Sequence, residues 1–584
     1  MKRIFAIFIT ICVSTIVFAQ KNGLEQNTKK MARMMWLIEN YYVDTTNISH
    51  LTEEGLKTML KDLDPHSVYI PTSDVQKMNE PLQGNIIGIG VTFQLLNDTI
   101  HVMEVVADGP AEKVGILPGD RIVKVNDTLA IGDSINNDWV MKHLRGKKGS
   151  KVKVGIQRSG RGELSFDIIR DKIPLNSVDT YFMIDKEIGY ISLRRYAQAS
   201  RDEVVAAIDS LKKQGMKKLI FDLRSNGGGY LETAFKICDE FLPKDKLVVY
   251  TEGIHQQRQE FTTLSNNGAW EKGELVILTD EYTASASEIT SGAIQDWDRG
   301  VIIGRRTFGK GLVQRPFNFD DRSQVRLTIA RYYIPSGRCI QKPYEDGTDE
   351  YFKDYAKRLS HGEMIYADSI SFPDSLKYKT YKGRTVYGGG GIMPDIFVSM
   401  DTSRASDYYI NLRSKNLFND FSINYAEQNR EELLKNYPTF ESFNAAWKDL
   451  NLIKEFEQYA LEKGVVRSEI KKDWVNAMFE DYLKDLKQDS SMTYQDYTSY
   501  AKAIFENAEM RKTIMEKAQK EDEKSKEIIE NSDKHIDSVL KGFIARNLYG
   551  TKYYYMSVQQ NDETLQKAVE VLKNNSLYKS LLKK

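Results

Sequence analysis

Three short segments carry the side chains best suited to chemistry. Phe221-Asp222-Leu223-Arg224-Ser225-Asn226-Gly227-Gly228-Gly229 reads as a strand that opens into a glycine loop and then a helix. Thr283-Ala284-Ser285-Ala286-Ser287-Glu288 opens a helix after a strand, and Thr307-Phe308-Gly309-Lys310-Gly311-Leu312-Val313-Gln314 sets a lysine between two glycines. A serine at a helix start is well placed for nucleophilic attack, because the next N–H, that of Ala286, faces the charge that develops and the helix dipole favours a negative oxygen. Serine also needs a base. The seven histidines, His50, His66, His101, His143, His255, His361 and His535, all lie outside these segments, so Lys310 is the better candidate. In an apolar run of low charge a lysine is desolvated, which lowers its pKa toward neutrality and makes it a usable base. Gln314, four residues on, shares a face with Lys310 on either a strand or a helix. A neutral amide there can orient an uncharged amine, whereas a carboxylate would keep it protonated.

Plainer explanations compete at each position. Ser285-x-x-Glu288 is a capping box, in which the hydroxyl serves only to cap the helix. Ser287 is a rival nucleophile, and a lysine in a glycine turn can simply be exposed. The glycine loop lacks the Lys-Ser/Thr ending of a nucleotide P-loop and the G-x-G-x-x-G spacing of a dinucleotide site. A bare glycine run before a helix does expose backbone N–H groups that can stabilise an oxyanion.

The flanking pattern supplies elements to position these segments. Lys218–Leu223, Leu275–Thr279 and Val301–Gly304 are short apolar runs of the buried-strand type, and Tyr230–Phe241 and Ser287–Trp297 read as helices between them. This alternation over 187–400 predicts βαβ-like units with sites at the strand ends. Residues 24–62 have helical apolar spacing and stop at Leu63-Asp64-Pro65-His66-Ser67. From Gly84 to Lys172 the texture is short β runs: Val91–Leu95 and His101–Val106 flank Asn97-Asp98, and Lys151–Gln157 and Glu163–Arg170 follow a helix near Asp138–Leu144. After Arg404 the chain reads as polar, amphipathic helix, including Leu450–Leu461, Trp474–Leu486 and the mixed-charge run Lys517–Lys526.

Two resemblances follow from these motifs. Residues 84–172, with Ala111-x-x-x-Gly115 and Pro118-Gly119-Asp120-x-Ile122, resemble a PDZ domain, and Gly88-Ile89-Gly90-Val91 matches its carboxylate-binding loop. Such domains bind an extended C-terminal peptide as an added strand. Over roughly residues 30–400 the chain resembles the carboxyl-terminal processing (tail-specific) serine peptidases. The motifs run in order: Leu63–Ser67 with Tyr69, the PDZ region, the Asp222-Leu223-Arg224 glycine loop, Ala284–Glu288, Phe308–Gly311 with Gln314, Tyr333-Ile334-Pro335-Ser336-Gly337-Arg338, and Gly391-Ile392-Met393-Pro394-Asp395. The resemblance implies Ser285 as nucleophile, Lys310 as general base, Gln314 as the orienter of Lys310, and the N–H groups of Gly228 and Ala286 as the oxyanion hole. It implies no metal and no organic cofactor. Many relatives carry proline before the paired glycines where this chain has Gly227, so Gly227, Gly228 and Gly229 remain alternative donors.

The expected fold class is multidomain α+β: a signal peptide at 1–19, an N-terminal helical region at 20–83, a PDZ domain at 84–172, a crotonase/ClpP-like α/β peptidase core at 173–403 and an all-α extension at 404–584. Lys2-Arg3, the apolar run Ile4–Phe18 and the small residue Ala19 make the leader, shorter than the ~20 residues of a membrane span. The mature protein is therefore expected outside the cytoplasm, periplasmic or secreted, with no membrane span. Lys plus Arg and Asp plus Glu both total 82, and that balance gives no electrostatic reason to expect nucleic acid. Of the three cysteines only Cys238 and Cys339 follow the leader, and they are expected as free thiols. Expected partners are proteins or peptides with nonpolar C-termini, and the helical end is a candidate for dimerisation or adaptor docking. Two other classes are a non-catalytic PDZ peptide-binding scaffold, disfavoured by intact Ser285, Lys310 and Gln314, and an acyl-CoA enzyme, disfavoured by the leader.

Overall fold

The apolar runs that bracket the glycine loop become the parallel centre of a six-stranded sheet in the computed structural model, which describes residues 23–96, 98–158, 161–370, 372–401, 406–467 and 508–583. The leader, Asn97 of the 97–98 turn and the run Trp474–Leu486 lie outside those residues. The chain divides into two units, one built from residues up to 78 with 313–330 and 343–354, the other from 79–312, 331–342 and 355–584.

In the larger unit the sheet runs in sequence order: Val178–Met183, Ile188–Leu193, Lys218–Asp222, Glu274–Thr279, Val301–Gly304 and Ile396–Phe397. The first pair is antiparallel and the rest parallel, with Phe221 opposite Ile191 on one side and Ile277 on the other. Side chains alternate between the two faces of such strands, so continuous apolar runs demand cover on both. On one face Phe221 packs edge-on against Phe241 of the helix Leu231–Phe241. On the other, Tyr190, Ile220, Val276, Leu278, Val301 and Ile303 share a core with Leu565, Ala568, Val569, Leu572 and Tyr578. These last residues come from the helices Glu563–Lys573 and Asn575–Leu581, at the far end of the chain. The last two helices of the all-α stretch 404–584 thus cover one face of the peptidase sheet. Their spacing marked them as amphipathic, but nothing local named the surface they cover.

The remainder of the helical region forms its own apolar cluster. Leu417–Asn436, Phe440–Ala446, Leu452–Glu462 and the later part of Ala508–Tyr549 bury Phe418, Phe443, Trp447, Phe456, Leu540 and Ile544 together. The PDZ region is a sheet in the order Val91–Leu96, Thr99–Val105, Arg121–Val125, Lys151–Arg158, Gly162–Ile169, closed over Ile100, Ile122, Val140, Val154 and Ile168. Its incoming strand Asn85–Gly88 pairs antiparallel with its outgoing strand Asp171–Pro174. A hairpin absent from the sequence reading, Leu247–Gly253 with Gln256–Thr262, pairs through Tyr250–Glu252 with Arg331–Tyr333.

In the smaller unit, helices at 23–41 and Ile48–Lys61 lead through the Leu63–Ser67 turn into a strand, Val68–Ile70, paired antiparallel with Gln324–Arg326. The N-terminal helical region expected at 20–83 thus includes a short strand: after the proline stop, Val-Tyr-Ile is β-branched and aromatic, the composition of such a strand. Cys238 and Cys339 are free thiols. Among the described residues no helix is long and apolar enough to cross a membrane.

Candidate active site

The strand Glu274–Thr279 ends in the loop Asp280–Ala284, buried except at Tyr282, and the helix Ala286–Asp296 begins one residue later. Ser285 fills the gap with φ 57° and ψ −115°. A β-carbon makes this left-handed conformation costly, about 1–3 kcal/mol, so the surroundings must impose it. A sharp strand-to-helix turn that presents a serine hydroxyl is the geometry of a nucleophile elbow. Ala286 contributes the first helical N–H, one of those with no partner inside the helix.

The glycine loop is stitched to this turn. The Asn226 carbonyl accepts the Ala284 N–H at 3.0 Å and the Ser287 hydroxyl at 3.0 Å. Ser287 is fully buried, with its hydroxyl donating to that carbonyl. Asn226 donates its side-chain amide to Leu193 O at 2.8 Å, and Asp280 accepts the Ser225 N–H at 2.9 Å. Burial pushes the Asp280 carboxyl above the usual range. Gly228 has φ 95°, and a β-carbon there would stand 2.7 Å from Ala284 O and 2.9 Å from the Ser285 β-carbon. Glycine is required at this approach. Its N–H donates to Asn226 Oδ1 at 2.9 Å.

The third segment joins the same place. Phe308 N–H donates to Thr283 O at 2.9 Å, and Gly309, with φ 88°, turns the chain into Lys310. The carboxylate of Glu288 collects the donors of both turns: Ser285 N–H at 2.8 Å and Lys310 N–H at 2.9 Å on Oε2, Gly309 N–H at 2.7 Å and the Thr307 hydroxyl on Oε1. Complete burial pushes the Glu288 carboxyl up to about 7 even though the hydrogen bonds pull it down. The buried Tyr332 hydroxyl lies between the carbonyl oxygens of Ser285, at 3.1 Å, and Lys310. Ser285, Ala286, Gly228 and Lys310 therefore meet in one place. Gln314 belongs to the smaller unit, where its amide donates to Thr328 Oγ1 at 3.2 Å and Thr328 donates to Asp64 Oδ1 at 3.0 Å. Asp64 also accepts Ser67 Oγ at 2.6 Å, so the Leu63–Ser67 motif is the anchor of that chain of bonds.

Other motif residues have structural duties. Arg338 and Asp296 form a fully buried pair at 2.8 Å. Asp395 holds the Ile302 N–H at 2.8 Å and accepts from Arg384. Arg224 pairs with Asp222 at 2.6 Å and with Asp562, just ahead of the sheet-covering helix, at 2.8 Å. Sequence reasoning did not single out Tyr332, Thr307, Asn226 or Asp562, and took Glu288 only as a cap partner. Tyr332 stands one residue before a recognised motif, but only the fold brings its hydroxyl to the other two turns.

In the PDZ region Gly88 ends the incoming strand, and the carbonyls of Ile89 and Gly90 accept Ala111 N–H at 2.8 Å and Val106 N–H at 2.9 Å. Gly90 has φ 82°, and Val91 starts the terminal strand of the sheet, whose outer edge is where a peptide strand can add.

Comparison with known proteins gives the same outline. A family model for peptidase family S41 matches residues 187–349, one for the PDZ domain matches 88–168, and one for a family of unknown function matches 408–487. The carboxy-terminal processing protease CtpA of Bacillus subtilis is 31% identical over 355 residues, 59% of this chain and 75% of that protein. A CtpA-like serine protease of Staphylococcus epidermidis is 33% identical over 57% of this chain and 68% of its own. Among solved structures, the photosystem II D1 C-terminal processing protease aligns over 52% of this chain and 82% of its own at 26% identity and a TM-score of 0.31. With those identities over most of its relatives' length, the chain belongs to the S41 family of carboxy-terminal processing serine proteases and carries a PDZ domain.

Proposed function

We propose that the protein is an extracytoplasmic endopeptidase that cuts protein substrates near their C-termini with a Ser285–Lys310 dyad. The neutral amine of Lys310 takes the Ser285 hydroxyl proton as Ser285 Oγ attacks the scissile carbonyl, and the family resemblance assigns Gln314 the part of orienting that amine. The tetrahedral oxyanion receives the Ala286 N–H and a donor from the glycine loop. Gly228 N–H serves there by exchanging Asn226 Oδ1 for the oxyanion. Collapse expels the amine, which takes the proton from Lys310 and leaves an acyl-enzyme. Water, activated by the same amine, then releases the shortened chain. The PDZ domain captures a nonpolar C-terminal tail at Gly88–Val91 and adds it as a strand along Val91–Leu96. No metal or organic cofactor enters this scheme. After leader cleavage the enzyme acts in the periplasm or outside the cell.

The observation that carries this reading is the strained Ser285 turn, its backbone held to the same carboxylate as that of Lys310. The test is cleavage of an unfolded protein, with labelling by a serine-reactive fluorophosphonate. Ser285→Ala is expected to lose both cleavage and labelling. Lys310→Arg is expected to be inactive as well, because arginine cannot be a neutral base near pH 7. Wild-type cleavage by Ser285→Ala would overturn the assignment, and peptide binding without labelling of the unaltered protein would reduce it to a peptide-binding scaffold.

A further inference from the structure

We infer that Glu288 and Tyr332 form a two-sided brace that sets the spacing of Ser285 and Lys310, and that both are positioning residues for acylation. The inference rests on the Ser285–Lys310 reading above. The two turns follow different strands and share no continuous backbone, so something must hold them in register. Glu288 grips the N–H side of both residues, through Ser285 N at 2.8 Å and Lys310 N at 2.9 Å. Tyr332 meets the C=O side of both, with its hydroxyl 3.1 Å from Ser285 O and in contact with Lys310 O. The backbone of each residue is thus held on two sides by side chains.

A helix cap accounts for only one of the Glu288 bonds, the one to Ser285. The other three go to Thr307, Gly309 and Lys310, across the fold from the helix. A carboxylate has about four acceptor sites on two oxygens, and here four donors converge on it. An amide cannot replace it, because its NH2 would face one pair of donors. Glu288 is completely buried, and burial raises its pKa to about 7. A buried carboxylate is costly unless its acceptors are filled, and these fillings come from the two turns that chemistry needs together. Tyr332, Glu288 and both turns belong to the same unit of the fold.

The full-length chain tests this with Glu288→Gln, Tyr332→Phe and the double variant, read by fluorophosphonate labelling rate per folded molecule, kcat, KM and Tm. Labelling and kcat are expected to fall about 10–100-fold in Glu288→Gln and about 3–10-fold in Tyr332→Phe, with KM within about twofold, as for a misplacement near 1 Å. The double variant is expected to lose less than the product of the single losses, because both changes relax one spacing. Wild-type labelling rates in both single variants would overturn the brace, as would a loss explained by Tm alone. If Glu288→Gln does not fold, Tyr332→Phe, which removes one oxygen, decides alone. Ser285→Ala runs beside them: its inactivity with unimpaired brace variants sinks only the brace, whereas its activity sinks the dyad.

Discussion

The corner around Ser285 and the helical cluster after Asp407 are held by different forces. At the corner, buried polar groups gather: Glu288, Asn226, Ser287 and Thr283, and at the far end of the same helix Arg338 pairs with Asp296. In the cluster, Phe418, Phe443, Trp447 and Phe456 pack ring on ring, with Phe418 and Phe456 stacked at 4.9 Å. Apolar packing is tolerant of exchange, since many side chains of similar volume fill the same space. A satisfied polar network has few solutions, so it fixes atoms relative to one another at the risk of a large penalty when a partner is lost. The chain thus places exacting interactions around the Ser285 and Lys310 turns and forgiving ones where bulk suffices.

Breaking that contrast starts with the deepest charge. Arg338→Ala leaves Asp296 buried without its cation and is expected to cost about 3–5 kcal/mol, read as a lower denaturant midpoint. Phe456→Ala in the cluster is expected to cost a similar ~3–5 kcal/mol through a cavity, yet to leave the fluorophosphonate labelling rate of folded molecules unchanged. Leu572→Ala separates the two kinds of helix. It is expected to cost about 2–5 kcal/mol and to raise amide hydrogen exchange in Lys218–Asp222 and Glu274–Thr279, the strands it helps to cover. Phe456→Ala should instead raise exchange in Leu417–Asn436 and Leu452–Glu462. Equal patterns from the two variants would show one undivided core.

Acidity sharpens the comparison at Glu288. Its folded pKa is about 7, raised by burial from 4.5. Between those values the folded protein keeps a proton that the unfolded chain has released. The resulting contribution to stability is full below 4.5, declines as pH rises, and is gone once pH passes about 7. Relative to Glu288→Gln, the unaltered protein is therefore expected to lose up to ~3 kcal/mol across that window, measured by urea unfolding at several pH values. The brace needs the charged form, so the pH that favours catalysis is the one at which this residue supports the fold least. Phe456→Ala alters no titratable side chain, and its deficit is expected to vary much less across that window.

Much of this organisation was legible in the sequence, for identifiable reasons. Lys218–Asp222 and Val301–Gly304 announced themselves as buried strands because parallel strands are apolar on both faces. Ser285, Lys310 and the glycine loop were legible because unusual residue types stood at element ends. The burial of Ser287 was not legible in the sequence, since its hydroxyl donates to the Asn226 carbonyl some 61 residues away in the chain. The hairpin Leu247–Thr262 was missed because Gln256-Gln-Arg-Gln-Glu lacks apolar alternation, and exposure on that strand permits it. Tyr332 and Asp562 were invisible for a common reason: each acts through partners brought near only by the completed sheet.

Asp562 offers the smallest expected effect, and it links the sheet-covering helices to the glycine loop. It caps Glu563–Lys573 by accepting the Leu565 N–H at 3.0 Å, and its two oxygens take both terminal nitrogens of Arg224 at 2.9 and 2.8 Å. Arg224 in turn grips Asp222, which accepts the Tyr190 hydroxyl at 2.7 Å, at the point where the strand opens into the glycine loop. One carboxylate thereby ties the sheet-covering helix to the loop beside Ser285. Asp562→Asn keeps a cap, since asparagine caps as well as aspartate, but loses the bidentate charge pair. The groups are mostly but not wholly buried, so the expected loss is about 1–2 kcal/mol. If the cap alone matters, Asp562→Asn is silent and Asp562→Ala is not. If the ion pair holds the glycine loop, Asp562→Asn also slows fluorophosphonate labelling by about 2–5-fold, and Arg224→Lys, which cannot make the two-pronged contact, slows it comparably.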